Sequence, residues 1–329
     1  MTPWKNCYWK GSSKVDLEQE AIEILHIICG KSHKAVIGDS GGKDSSVLKH
    51  IALKANQKYG FKFKIRHNHT TVDAPETVYF VREEQKRFQK IGINYEILMP
   101  KETMWQLIVR YCTPPTRLIR YCCADLKENT GDIGERLITG VRKAESINRK
   151  KNQGMITIPK PKKKIKTEAE SDNNFLLTEK GGLIVLNLDN SDTRQIVEDC
   201  FRTHKVLINP LAEWEDDFLW WYIRRENIRL NPRYEKKGIC RVGCIGCPMA
   251  GEARWAEFEE FPTYKAAYIK TFDKMLKERE RRGLKNVPQW KDGLHVFKWW
   301  MEDKNIDGQL AFGEDMKIYE MYTDYINYV

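Results

Sequence analysis

Residues 34–59 read KAVIGDSGGKDSSVLKHIALKANQKY. The apolar run from Lys34 to Asp39 has the length of a short buried strand. From Ser45 to Tyr59 the apolar residues Val47, Leu48, Ile51 and Leu53 follow helical periodicity. Between the two lie Ser40, Gly41, Gly42, Lys43, Asp44 and Ser45. Glycines let the backbone turn sharply and bring N–H groups close to an anion. The helix start adds partial positive charge, and Lys43 adds a full cation. Strand, loop, lysine and helix start together predict a phosphate cradle. It is not the G-x-x-x-x-G-K-[ST] loop, because only Gly42 separates Gly41 from Lys43.

The same alternation continues along the chain. Strands are expected at Phe63–His69, Tyr95–Met99 and Arg136–Val141, and helices at Ala74–Lys90 and Glu102–Tyr111. Such βαβ units predict an α/β fold with a parallel sheet and a ligand site at the strand C-termini. The pattern breaks at Arg149–Lys166, which holds eight basic residues and no acidic one. A run of this kind reads as a solvated, mobile insertion or as a basic arm that contacts phosphates. Regular structure is expected again at Gly182–Leu188 and Lys205–Leu211. A helix follows at Trp214–Glu226, then charged helices over Glu252–Arg282 and one more at Trp290–Met301.

No apolar run approaches the roughly 20 residues of a membrane span, and Met1–Gly11 has no apolar signal region. A cytoplasmic protein without membrane contact is expected. The net charge of +10 favours an anionic partner. In a reducing compartment the nine cysteines are not a disulfide framework. They read as ligands, nucleophiles or buried apolar residues. Cys122 and Cys123 are adjacent, Cys240, Cys244 and Cys247 are clustered, and Cys7, Cys29, Cys112 and Cys200 stand alone as core candidates. Cys122, Cys123, Cys244 and Cys247 supply four thiolates, enough for a [4Fe–4S] cluster or a structural zinc ion. Adjacent cysteines suit a zinc knuckle poorly. Cys240 with Cys244 and Cys247 has the spacing of a radical-SAM site, yet that motif sits early in a long barrel. Cys240 is thus a packed thiol or a sulfur handler near the cluster.

The segment SGGKDS after a first strand resembles the PP-loop of the ATP pyrophosphatases. Val72–Thr77 is similar to the Pro-Glu-Thr segment of phosphoadenosine phosphosulfate (PAPS) reductase relatives. Pro114–Lys127 resembles their arginine–cysteine segment, Leu137–Arg149 their strand-Gly-x-Arg-x-x-x-Ser stretch, and Ile208–Tyr234 their Pro-Leu-x-x-Trp helix. The resemblance covers roughly residues 34–250 apart from the insertion. It implies an adenine-nucleotide α-hydrolase-like parallel sheet flanked by helices, with a helical C-terminal extension. The expected organisation is an N-terminal segment 1–33, a nucleotide-binding domain 34–250 with a Lys-rich insertion near 150–181, and a helical region 251–329.

The resemblance also implies a site. Ser40, Gly41, Gly42, Lys43, Asp44 and Ser45 would bind ATP with Mg²⁺, with Lys43 and Ser45 as catalytic candidates. Asp73 would contact Mg²⁺ or nucleotide, and Gly140, Arg142 and Arg149 would face phosphate. The related adenylyl sulfate (APS) reductases carry a Cys-Cys pair plus Cys-x-x-Cys around a [4Fe–4S] cluster, which favours iron–sulfur over zinc. Sulfonucleotide reductases use a nucleophilic cysteine near the C-terminus. Here Tyr319–Val329 offers tyrosines instead, and no cysteine follows Cys247. The expected activity is therefore an ATP pyrophosphatase that adenylylates an acceptor for sulfur transfer. The acceptor would be a nucleic acid or nucleotide, and the sulfur donor a protein such as a cysteine desulfurase. A PAPS or APS reductase and a non-catalytic nucleotide- and cluster-binding protein are the alternatives.

Overall fold

The computed structural model describes residues 16–30, 34–127, 132, 134–170, 172–187, 193, 195–198, 200, 205–236 and 238–302. Cys7 and the tyrosine-rich stretch 319–329 lie outside them. The chain divides into two units. One takes residues 1–68, 75–98 and 130–242, and the other residues 69–74, 99–129 and 243–329.

In the first unit, eight strands among the described residues form one sheet. They are β1 (Ala35–Gly38), β2 (Lys64–Asn68), β3 (Tyr95–Leu98), β4 (Arg136–Ile138), β5 (Ile156–Ile158), β6 (Phe175–Leu177), β7 (Leu183–Val185) and β8 (Leu207–Ile208). Their order is β3-β2-β1-β4-β8-β5-β7-β6. The run from β3 to β8 is parallel, with Ile37 opposite Ile65 on one side and Ile138 on the other. β1 reads as a continuous apolar run because Ala35, Val36 and Ile37 are buried in the middle of that sheet.

The first helices are α1 (Leu17–Cys29), α2 (Lys43–Tyr59) and α3 (Pro75–Lys90). Asp16 caps α1 through the N–H groups of Glu18 and Gln19. Gly60, at φ 68°, ends α2 in the left-handed conformation. The chain steps from β1 to β2 to β3 in one direction, then places β4 on the other side of β1. That reversal makes a crevice at the carboxyl ends of β1 and β4, the usual ligand position in an open α/β sheet.

Residues 149–166 are not a solvated insertion. They run through α6 (Ile147–Asn152), β5 and the start of α7 (Lys163–Glu170). β5 pairs antiparallel with β8 on one edge and β7 on the other, and Ile156, Thr157 and Ile158 are all buried. The β-branched triplet Ile-Thr-Ile suits a central strand. It is too short to announce itself between flanking lysines. The expected tryptophan-rich helix is α8 (Asp216–Arg225), which buries Phe218, Leu219, Tyr222 and Ile223.

The second unit contains α4 (Met104–Tyr111), α5 (Tyr121–Leu126), α9 (Ala253–Glu260), α10 (Pro262–Arg281) and α11 (Gly293–Met301). A reciprocal capping box of Thr103 and Gln106 starts α4. Its core is aromatic: Phe258, Tyr268, Phe272, Phe297 and Trp300 pack on one another. Among the described residues no helix is long and apolar enough to cross a membrane.

Because β5 is a core strand, Ile158→Ala should lower stability by about 2–5 kcal/mol in urea denaturation. An unchanged midpoint would return residues 149–166 to the status of a dispensable surface insertion.

Candidate functional site

The glycine-rich loop leaves the carboxyl end of β1 and enters α2 at Lys43. One buried carboxylate holds it. Asp39 Oδ1 accepts the Gly41 N–H at 2.8 Å and the Ser45 hydroxyl at 2.8 Å. Asp39 Oδ2 accepts the Lys49 ammonium at 2.6 Å and the Tyr95 hydroxyl at 2.5 Å. The His67 ring donates from Nδ1 to the Asp39 carbonyl at 2.9 Å. Lys49 is itself buried and pairs with Glu84 at 3.1 Å. Burial opposes the Asp39 charge, but Lys49, His67 and the two hydrogen bonds outweigh it and hold the carboxyl well below the usual range.

Two glycines are required by geometry. Gly41 has φ 71°, and a side chain there would press on Thr77 and Val81. Gly140, just after β4, lies so close to α2 that a Cβ would stand 3.0 Å from the Asp44 carbonyl carbon. The loops after β1 and β4 thus abut at the crevice made by the reversal in strand order. Asn231 donates to the Gly41 carbonyl at 3.3 Å and to the Thr77 hydroxyl at 3.0 Å. The Lys43 N–H donates to the Tyr234 hydroxyl at 3.0 Å. Burial first pushes that phenol up to about 12, against the hydrogen bond from Lys43.

Lys43 and Asp44 form a charge relay with Arg142. The Lys43 ammonium lies 3.1 Å from Asp44 Oδ2, and Arg142 Nε donates to Asp44 Oδ1 at 2.6 Å. Arg142 is wholly buried and also donates to the Trp214 carbonyl at 2.9 Å and to Asp216 at 2.6 Å. It therefore braces the loop from behind. Arg149 lies on α6 and pairs with Glu145 one turn earlier.

The cysteines assemble in the second unit. Cys122 and Cys123 occupy α5, and Cys244 and Cys247 flank a turn in which the Cys247 N–H donates to the Cys244 carbonyl at 3.2 Å. Arg117 Nε reaches the Pro248 carbonyl at 3.4 Å and ties the two segments together. The Cys122 thiol is pushed up first by its hydrogen bond with Cys123, then by burial and by Cys244 and Cys247 nearby. Cys244 is buried, is raised by that burial, and donates to the Thr70 hydroxyl at 3.4 Å. Lys127 is raised in turn, first by Cys244 and further by Cys123 and Asp73. Folding has thus brought the Cys122 thiol near those of Cys123, Cys244 and Cys247. Among the described residues, no group of three or more His, Cys, Asp or Glu is arranged as a metal-holding set. The donor chemistry, four soft sulfurs beside a lysine, fits an iron–sulfur group better than a hard cation.

Asp73 belongs with these cysteines. It forms a bridge with Cys244, accepts the Thr70 N–H at 2.8 Å, and its carbonyl accepts the Tyr264 hydroxyl at 3.0 Å. Cys240 is exposed, with its thiol 4.0 Å from the Gly238 carbonyl. Cys29, Cys112 and Cys200 are buried, as their isolation in the sequence suggests.

The family model of the phosphoadenosine phosphosulfate reductase domain matches residues 34–250. The chain belongs to this family. No curated protein matches it. Among solved structures it is similar to the PAPS reductase of Candida auris in a phosphate complex, at 14% identity and TM-score 0.41, covering 68% of this chain and 87% of that one. It is also similar to the U34-tRNA thiolase NcsA of Methanococcus maripaludis with its [4Fe–4S] cluster, at 11% identity and TM-score 0.41, covering 83% and 82%. A third is the FMN adenylyltransferase of Candida glabrata with FAD and inorganic pyrophosphate, at 13% identity and TM-score 0.36, covering 70% and 63%. At such identities and scores none of them assigns an activity to this chain.

For this PAPS reductase family member, sequence reasoning located the loop and the four cysteines but passed over the residues that hold the loop. Asn231 and Tyr234 are about 190 residues from the loop they touch, so no local signal links them. Lys49 was detectable: it is a charged residue on the face of α2 that carries buried Ser45 and Ala52.

Lys49→Met leaves the Asp39 charge buried and unpaired and should cost about 3–5 kcal/mol of stability. Because the folded pKa of Asp39 is depressed, its stabilisation is complete above the ordinary carboxylate value of about 4 and is lost as pH falls below it. Asp39→Asn should therefore be less stable at neutral pH and show a shallower acid limb in denaturation between about pH 5 and 2. An acid limb with unchanged slope would remove Asp39 from the pH dependence.

Proposed function

We propose that the chain is an ATP pyrophosphatase-type enzyme that activates an acceptor oxygen for sulfur transfer. The observation that carries this reading is the lysine-bearing loop at the carboxyl end of β1. It is preset by Asp39 and sits where strand order reverses. The start of α2 binds the β,γ-phosphates through its partial positive charge, while the Gly41 and Lys43 N–H groups stay on Asp39 and Tyr234 and fix the loop. Lys43 moves its charge from Asp44 to the leaving pyrophosphate. Ser40 and Ser45, 3.3 Å apart, present hydroxyls on the same side of the loop.

The acceptor oxygen attacks the α-phosphorus and loses its proton, and the bond from the α-phosphorus to the bridging oxygen breaks. Pyrophosphate leaves with the bonding pair, and AMP stays on the acceptor. The outer sulfur of a persulfide on the donor protein then displaces AMP, and a second thiol of that protein attacks the resulting disulfide, leaving one sulfur on the acceptor and a disulfide on the donor. Asp44 Oδ1 is held by Arg142, and Oδ2 is released when Lys43 turns to the pyrophosphate. Mg²⁺ enters with the phosphates, as is usual for this ion.

Cys122, Cys123, Cys244 and Cys247 are assigned as the ligands of a [4Fe–4S] cluster. Such a cluster would supply soft iron and sulfide for handling sulfur. Lys127 would offset part of the thiolate charge. The matching family is named for PAPS reduction, which supports sulfonucleotide reduction as a second reading.

Incubation with ATP, Mg²⁺ and nucleic acid should release pyrophosphate, and Lys43→Ala should reduce the rate about 100-fold, as for loss of one transition-state charge partner. Formation of sulfite from PAPS or APS without pyrophosphate release from ATP would transfer the assignment to the reductase. Protein purified anaerobically should contain iron and sulfide, and Cys122→Ser with Cys247→Ser should lose both while retaining nucleotide binding. Equal iron content in the double variant would defeat the ligand assignment.

A further inference from the structure

Residues 147–187 carry nine Lys and Arg against four Asp and Glu, so half of the chain's net charge of +10 is concentrated there. The structure brings part of this charge to one end of an antiparallel ribbon. β5, β7 and β6 are antiparallel neighbours, with Ile158 and Leu177 both opposite Leu183. This register places the exit of β5 beside the tight turn from β6 to β7.

Named contacts fasten the surrounding elements to that turn. The Thr178 N–H donates to the Gly182 carbonyl at 2.9 Å, and the Thr178 carbonyl accepts the Gly181 N–H at 2.9 Å. The Gly182 N–H donates to the Thr178 hydroxyl at 2.8 Å. Gly182 lies against the carbonyls of Ile158 and Pro159, which brings Lys160 to the turn. The Lys180 N–H donates to the Asn152 side chain at 3.1 Å and brings the end of α6, with Lys150 and Lys151, to the same place. Lys166 of α7 extends its ammonium to within 3.9 Å of where a Gly181 side chain would begin.

The charge at this end is largely uncompensated. Lys151 pairs with Glu179 at 2.8 Å. Among the described residues, Lys150, Lys160, Lys162, Lys163 and Lys180 have no ion-pair partner, and each of these five is exposed. Like charges repel one another, so a fold that gathers them on a fixed frame retains a cost that a polyanion removes.

We propose that the turn end of the β5–β7–β6 ribbon is a docking surface for the phosphodiester backbone of a nucleic acid. The proposal rests on the reading of the protein as acting on a nucleic-acid acceptor, and it names the surface that holds the polymer. The lysines are point charges without planar or aromatic groups among them, so they contact phosphates and read no bases. Binding is therefore tolerant of sequence and strongly dependent on salt.

The test is equilibrium binding of the full chain to a random-sequence DNA duplex and to bulk tRNA over a salt series. A Lys160→Glu, Lys180→Glu double variant should bind at least tenfold more weakly at low salt, and the log–log salt slope should fall by about 1 for each phosphate contact removed. A loss for one polymer alone identifies the physiological backbone as DNA or RNA. Lys160→Gln with Lys180→Gln controls for reversed charge and should lose the same slope with a smaller loss of affinity. Thermal melting and ATP binding should be unchanged in both variants. Wild-type affinity and slope in both double variants, or no wild-type binding to either polymer, overturns the docking surface. ATP binding and pyrophosphate release remain separate readouts, so this failure is distinguishable from failure of the catalytic reading.

Discussion

A single buried carboxylate holds the glycine-rich loop. Asp39 places each oxygen between two donors: Gly41 and Ser45 on one side, Lys49 and Tyr95 on the other. A buried charge is tolerated only when it is paired and hydrogen-bonded. The arrangement converts that requirement into loop geometry. Removing water from Asp39 forces its neighbours to satisfy it, and two of those neighbours are the backbone and hydroxyl of the loop itself. Lys49 extends the network to Glu84 in α3, so the loop, α2, β3 and α3 are held by one set of charges.

The cations around the loop divide into two roles on the basis of burial. Lys43 keeps some solvent exposure and pairs with Asp44, whereas Arg142 is sealed and committed to Asp44, Asp216 and the Trp214 carbonyl. A guanidinium suits the second role because its fixed fork can satisfy several acceptors at once. The cysteine unit follows similar logic with softer groups. Aromatic packing of Phe258, Tyr268 and Trp300 supplies the frame, and Cys122, Cys244, Cys247 and Lys127 lie in the same unit.

The charge-rich stretch after β4 shows how packing reinterprets composition. Its lysines satisfy every expectation of a solvated segment, yet three residues between them, Ile156, Thr157 and Ile158, complete the sheet. Charge controls which ends of an element meet water. It does not prevent the few apolar residues between charges from entering a core, since burial of each is worth about 1.5–3 kcal/mol.

Much of the fold and part of the site were legible in the amino-acid order. Local periodicity located the strands and helices from Ala35 to Tyr111 within a few residues, and the loop chemistry at Ser40–Ser45 was evident because a turn, a cation and a helix start must be adjacent in the chain. The grouping of Cys122 and Cys123 with Cys244 and Cys247 was an expectation drawn from thiol chemistry and from the family resemblance. The brace of Arg142 on Asp44, the hydroxyl of Tyr234 on Lys43, the membership of Asp73 with the cysteines and the capture of β5 between β8 and β7 were decided by tertiary structure alone. The physical reason is separation along the chain: short-range sequence patterns encode dihedral preferences and the sidedness of single elements, whereas the partner of a buried charge or a strand edge is chosen by which distant groups remain unsatisfied when the chain closes on itself.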